Sequence, residues 1–307
     1  MTAAPTPPAD VPQFSARDVE IATELLEQPL DEPVVEIVTL TDEELMALDG
    51  VQHDPLTPTP WVSGSAEDPE ARRLVAAAAM RSLIARGVVS STAVLDPRRY
   101  EDGSTEAARM VAVPALHGTV VLRRTADAVL VAERRTDRGT AFAYFYLFHL
   151  ESGEVRVLWE AFDDGGFHLF FLLDGKTLPE QFIAFIDPVD GISDDDGDVE
   201  EVPAADFGTS TVAQGLAEAR AATTTLILAR GVDAAPTAFT LFSMPDRVVL
   251  MESDGDDHDA VQRLGTVSRA SLENILGELV AATAPDASDA DADADAESES
   301  EAEAENA

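Results

Sequence analysis

Apolar positions along this chain follow two periods, and the order in which they are used predicts its elements. Val19, Ile21, Ala22, Leu25 and Leu26 lie on one stripe of a helix running from Ser15 to about Glu27. A strand over Val34–Leu40 follows. Thr41-Asp-Glu-Glu44 is then a capping box, in which the Thr41 hydroxyl and the Glu44 carboxylate satisfy each other's free backbone donors. It predicts a short helix ending near Gly50. Residues 51–64 hold three prolines and read as a loop anchored by Trp61. Asp68 and Pro69 suit the cap and first turn of the clearest helix, with Leu74, Ala77, Ala78, Arg81, Ile84 and Ala85 at helical spacing. Gly87 fits the left-handed turn that ends it.

From residue 119 onward the period becomes two. Thr119–Arg124 and Ala128–Arg134 predict a hairpin about a Thr-Ala-Asp turn. Ala141–Leu150 is apolar on both faces, as a central strand covered on both sides is. Glu154–Phe162 alternates, with Val155, Val157, Trp159 and Ala161 on one face. Glu151-Ser-Gly153 and Asp163-Asp-Gly-Gly166 supply turns, the second leading into Phe167–Leu173. Thr177–Ile186 fits a helix and a strand equally. Beyond residue 208 the pattern predicts a helix over Thr211–Thr223 and strands over Thr225–Arg230, Thr237–Ser243 and Arg247–Glu252. A last helix, capped by Ser268, reaches about Ala282 with Leu272, Ile275, Leu276 and Leu279 on its stripe. The fold class is α+β, an antiparallel sheet with flanking helices. The repeated order of helix, strands and helix points to two pseudo-duplicated halves, 14–186 and 209–284. An acidic linker, 187–208, separates them, between a disordered N-terminus, 1–13, and a disordered acidic tail, 285–307.

Charge narrows the partners. The formal net charge is −39, and 286–307 and 187–206 together carry nineteen acidic residues and no basic one. Setting those aside still leaves −20 on the rest of the chain. Such a surface repels a phosphate backbone, so nucleic-acid binding is disfavoured and neutral, basic or apolar partners are expected. No apolar run approaches the ~20 residues of a membrane helix. The first fourteen residues have neither a basic region nor an apolar stretch, so they are not read as a signal peptide, and cytoplasmic residence is the expectation. The absence of cysteine excludes disulfides, thiolate ligands and cysteine nucleophiles.

Reactive constellations are sparse. Gly175-Lys176-Thr177 ends like a phosphate loop, but Phe170 stands where that loop needs its first glycine. Calcium loops centred on Gly197 or Gly255 would place Ile192 or Leu250 at the first ligand, which neither can supply. The histidines, His53, His117, His149, His168 and His258, show no zinc-helix spacing, although His149 and His168 fall on strands expected to be neighbours. No catalytic residue, metal ligand or cofactor site is assigned. The one cluster that stands out is Arg123, Arg124, Arg134, Arg135 and Arg138, a basic island in an acidic chain. These residues pair with nearby carboxylates such as Asp127, Glu133 and Asp137, or they form a partner-docking edge, since the arginine fork suits interfaces.

Three stretches carry a resemblance. The helix Arg72–Val89 ends in Arg-Gly-Val-Val and is followed by Leu95-Asp-Pro97. Val120–Val131 contains paired arginines. Phe239–Glu252 leads into the helix Ser268–Ala282. Taken in this order, they resemble the EspG-type proteins, cytosolic chaperones of type VII (ESX) secretion. The chain departs from that family in its aromatic block, where ten of eighteen aromatic residues lie between Phe142 and Phe171, and in its acidic linker and tail. Ser243-Met-Pro-Asp246 matches the family's last-hairpin segment only loosely. The resemblance implies a non-enzymatic, protein-binding factor that holds a helical secretion substrate in an apolar groove beside the sheet, with Arg134–Thr140 as the contacting turn. Two alternatives stay open. One is an enzyme or small-ligand domain using the aromatic block with Asp163 and Asp164. The other is a helix-turn-helix regulator built on Arg72–Val89.

Overall fold

The computed structural model describes residues 14–63, 68–92, 110–229, 237–253 and 260–284. The segments 1–13 and 285–307, expected to be disordered, and Leu95–Pro97 lie outside them. The described residues form seven α-helices and twelve strands in a mixed α+β fold. The helices are α1 (Ala16–Glu27), α2 (Asp42–Asp49), α3 (Pro69–Ala85), α4 (Pro114–Thr125), α5 (Leu178–Ile186), α6 (Thr211–Leu216) and α7 (Arg269–Ala282). The strands are β1 (Val34–Thr41), β2 (Val89–Ser91), β3 (Met110–Ala112), β4 (Ala128–Thr136), β5 (Gly139–His149), β6 (Val155–Asp163), β7 (Phe167–Asp174), β8 (Glu200–Pro203), β9 (Ala221–Ala229), β10 (Thr237–Ser243), β11 (Val248–Ser253) and β12 (Val261–Val267). No helix among the described residues is long and apolar enough to cross a membrane.

Ten strands make one antiparallel sheet in the order β1-β7-β6-β5-β4-β9-β10-β11-β12-β8, and β2 pairs with β3 alone. The order is internally repeated. Each half reads helix, four-strand meander, helix: α4, β4–β7, α5, then α6, β9–β12, α7. In each, an earlier strand, β1 or β8, joins the outer edge. The halves meet where β4 pairs β9, from Ala128 opposite Ala229 to Arg135 opposite Ala222. They are not separate units. One core runs across the seam, with Leu130, Phe145 and Val157 of the first half and Ile227, Leu241 and Val248 of the second under α5 and α7.

The aromatic block serves both faces. Phe145 stacks on Trp159 at 5.6 Å and tilts against Phe182 of α5 at 6.2 Å, while Tyr146 and Phe148 point the other way, into a core closed by α1, α4 and part of α2 and α3. Each fully buried ring contributes about 1.5–3 kcal/mol. The caps at Ser15, Thr41, Asp68 and Ser268 form, and Gly87 and Gly153 take positive φ.

Several expectations are corrected. Thr119–Arg124 is the second half of α4, not a strand. Pro114 starts that helix, and the Thr119 and Thr125 hydroxyls donate to the carbonyls of Ala115 and Val121 four residues back, which accommodates β-branched residues in a helix. The helix expected over 211–223 ends at Leu216, and the chain is extended from Ala221. Thr177–Ile186 resolves as a short turn leading into α5. Strand β12 had no expectation at all.

The expected linker is ordered. Buried Asp187 accepts from the Ile192 amide and the Ser243 hydroxyl. Asp196 accepts from the Ser268 amide and the Ser271 hydroxyl, and β8 pairs β12. Asp187 and Asp196 thus serve as acceptors for the elements the segment crosses. Trp61 is 68% exposed and anchors nothing. The loop is held instead through the Trp61 and Val62 amides, both donating to Asp42 Oδ2, and through buried Thr57 and Val62.

Candidate binding groove

The five arginines of the basic island separate. Arg123 and Arg124 close α4, where cations suit a helix C-terminus, and both face inward. Arg123, 1% exposed, donates through Nε to Glu160 Oε2 (3.0 Å), through Nη1 to Asp49 Oδ2 (3.1 Å) and through Nη2 to the Thr57 hydroxyl (2.9 Å). Arg124 pairs with Asp49 at 3.2 Å. Neither faces a partner. Arg135 lies on the opposite face from Arg134 and pairs with Glu133.

Glu160 stands at the centre of this cluster. Its Oε2 also accepts from the Tyr146 hydroxyl at 2.8 Å, and its Oε1 from His168 Nδ1 at 2.7 Å. His168 Nε2 reaches Asp42 Oδ1 at 2.8 Å. An imidazole flanked by two carboxylates satisfies both only as the two-donor imidazolium. Three cations, Arg123, Arg124 and His168, thereby balance three carboxylates, Asp42, Asp49 and Glu160. Burial alone would lower the His168 pKa, but the hydrogen bonds and charges of Asp42 and Glu160 outweigh it and raise it above 6.5. Burial would likewise raise that of Glu160, and Arg123, His168 and Tyr146 bring it down to about 2. His149 does not approach His168, because β6 lies between their strands. Enclosed and balanced in charge, the cluster clamps α2, the 51–63 loop and α4 onto the sheet. The alternation of Glu154–Phe162 leaves Glu160 off the Val155–Ala161 face, where a carboxylate is ordinarily read as solvated. The signal against that reading is its company, since Leu158 and Phe162 flank it on the same face.

Arg134 and Arg138 do meet, at the end of the sheet where the β4–β5 and β6–β7 turns lie side by side. There an open groove of about 750 Å³ is lined by Arg134, Arg138, Arg220, Asp137, Asp163, Asp164 and neighbouring turn residues, with Pro188 and Val189 beyond α5. The two turns are stapled by Asp164, whose Oδ2 accepts from the Thr140 amide at 2.9 Å. Gly139 is required there: its φ is +140°, and a Cβ would come within 2.8 Å of Asp164 Oδ2. Arg134 is half-buried, donates to the Phe185 carbonyl and lies 4.6 Å over the Phe185 ring. Burial lowers its pKa. Among the described residues no carboxylate pairs with Arg134, Arg138 or Arg220, and Arg220 was not foreseen as part of the site.

Exposed apolar side chains stand at the same end of the sheet. Beside the β6–β7 turn, Trp61 (68%) and Phe167 (56%) are exposed, with Leu169 next along β7. Gly166 lets them approach, since a Cβ there would meet Trp61 Cβ at 2.8 Å and Asp42 at 3.0 Å. Across the strands, Ala143, Ala161 and Leu169 are in register. Ala141 stands between Arg134 and Asp163 in the next row and lines the groove, whereas Ala143 is fully buried in the core. Among the described residues no three His, Asp or Glu side chains converge with metal-holding geometry. The chain matches no protein-family model, and no curated protein matches it.

Proposed function

We propose that this protein is a non-enzymatic binding factor that receives a protein segment at the end of its sheet. The observation that carries this reading is a groove lined by Arg134, Arg138 and Arg220, none paired with a carboxylate among the described residues, at the same end of the sheet as the β6–β7 turn, which exposed Trp61 and Phe167 flank. Exposed aromatics beside arginines are the composition of interface centres. A groove with Ala141, Pro188 and Val189 among its charged residues suits an amphipathic helix, whose apolar side chains enter it while its polar face meets the arginines and aspartates of the rim. A type VII secretion chaperone holding a helical substrate is the specific form of this function. It is supported by the resemblance of the three sequence stretches and by the expected contacting turn, 134–140, lining the groove.

The test is co-purification from the native cell with full-length protein, comparing wild type with a Trp61→Ser/Arg138→Glu double variant. A helical secretion substrate recovered with the first and lost with the second is expected. Equal recovery with both, or no such substrate with wild type, overturns the proposal.

A further inference from the structure

A second space shares no lining residue with the groove. Between α2, the 50–63 loop and α3 is a cavity of about 290 Å³, at the lower end of the range that small metabolites occupy. Leu45, Met46 and Val62 give it an apolar body. Its polar wall includes Arg123, whose donors are largely committed to Glu160, Asp49 and Thr57. Arg72, from the first turn of α3, also faces it.

Arg72 differs from Arg123 in having no acceptor. Its Nε is buried without a hydrogen-bond partner, and among the described residues no carboxylate pairs with its guanidinium. Asp49, an acidic wall residue with a buried side chain, is paired with Arg123 and Arg124. Asp54 is exposed at the rim. A planar fork with no carboxylate partner beside an apolar chamber is complementary to a carboxylate on a compact apolar body. The distant acidic surface weakens this little, because charges beyond about 8 Å are screened at physiological ionic strength.

The geometry points to this cavity as a binding site for a small monocarboxylate with a compact aromatic or branched apolar body, its carboxylate on Arg72 and its body against Leu45, Met46 and Val62. The site is independent of the groove.

Benzoate and isovalerate are the probes, with benzamide as the neutral control, on the full-length chain. Saturation-transfer NMR and thermal melting are expected to show binding and a rise in Tm with at least one carboxylate and none with benzamide. Trp61, in the loop that covers the cavity, gives a fluorescence readout. Arg72→Met is expected to weaken binding about tenfold or more, the loss of one charge-assisted contact. Met46→Trp, which fills the chamber, is expected to abolish it. If neither carboxylate binds wild type, or benzamide binds as well, or Arg72→Met binds unchanged, the inference falls. The wild-type NMR result decides the matter even where a variant fails to fold.

Discussion

The two halves share a strand order and a core under α5 and α7, yet they differ in what stands on the opposite face. In the first half four helices pack there, and within that cover lies a neutral six-residue charge cluster. In the second, the corresponding side has a small core of Val202, Met244, Val249 and Leu264 beneath α6 and the segment leading to β9. The edges differ in the reverse sense. Over β12 the 193–199 segment is tied down, with the Gly197 amide donating to the Thr266 carbonyl and Val199 seated on Gly265. Over β7 the equivalent positions are Phe167 and Leu169, which stay exposed. Thick cover allows a half to bury charge, and missing cover leaves a surface free to bind. The first half has both.

The largest effect expected follows from the charge cluster. Removing one partner of a buried ion pair leaves the others uncompensated, which costs about 3–5 kcal/mol. Glu160→Leu strands Arg123 and His168 together, so denaturant unfolding should show a loss of that size. Leu216→Ala, on the thin cover of the second half, should lose less. If the two losses are equal, the contrast between halves is wrong.

Acidity and alkalinity should act on the first half in opposite ways. Glu160 is held at about 2, below its ordinary 4.5, so its stabilisation is present above pH 4.5 and is lost as pH falls towards 2. His168 is raised above 6.5, so its stabilisation is complete below that value and fades as pH climbs through the folded-state pKa. Stability from the cluster should therefore peak between about pH 4.5 and 6.5. His168→Gln should flatten the alkaline limb. An unchanged alkaline limb in that variant would show that the imidazolium is absent from the cluster.

Much of this fold was legible because local chemistry specified it. The caps at Thr41 and Asp68, and the glycines at 87 and 153, fix their elements without help from distant residues. What sequence could not show arises from contacts across long separations. Nothing in the alternation around Glu160 announces Arg123 and His168, which reach it from other elements. Thr119–Arg124 has β-branched residues that favour a strand, and only packing on the sheet makes it helical. The arginine island was visible as a run of charge, but its division between a buried clamp and an open groove depends on which face each strand residue takes.

Gly166 tests the junction between cluster and strip at a smaller scale. Its φ is +70°, and an added Cβ would press on both Trp61 and Asp42. Gly166→Ala should cost about 1–3 kcal/mol, for backbone strain at a crowded turn. It should also shift the fluorescence of Trp61. A loss with no fluorescence change would separate the strain from the loop.

The smallest stability effect belongs to the residue with the largest expected effect on binding. Trp61 is mostly in solvent, and its backbone amide, not its ring, holds the loop to Asp42. Trp61→Ser should therefore alter unfolding free energy by no more than about 0.5 kcal/mol, as exposed substitutions do. A ring kept exposed without a structural task should matter only to a partner. Should Trp61→Ser instead unfold the protein, the ring is structural, and the strip beside the groove is no longer a free surface.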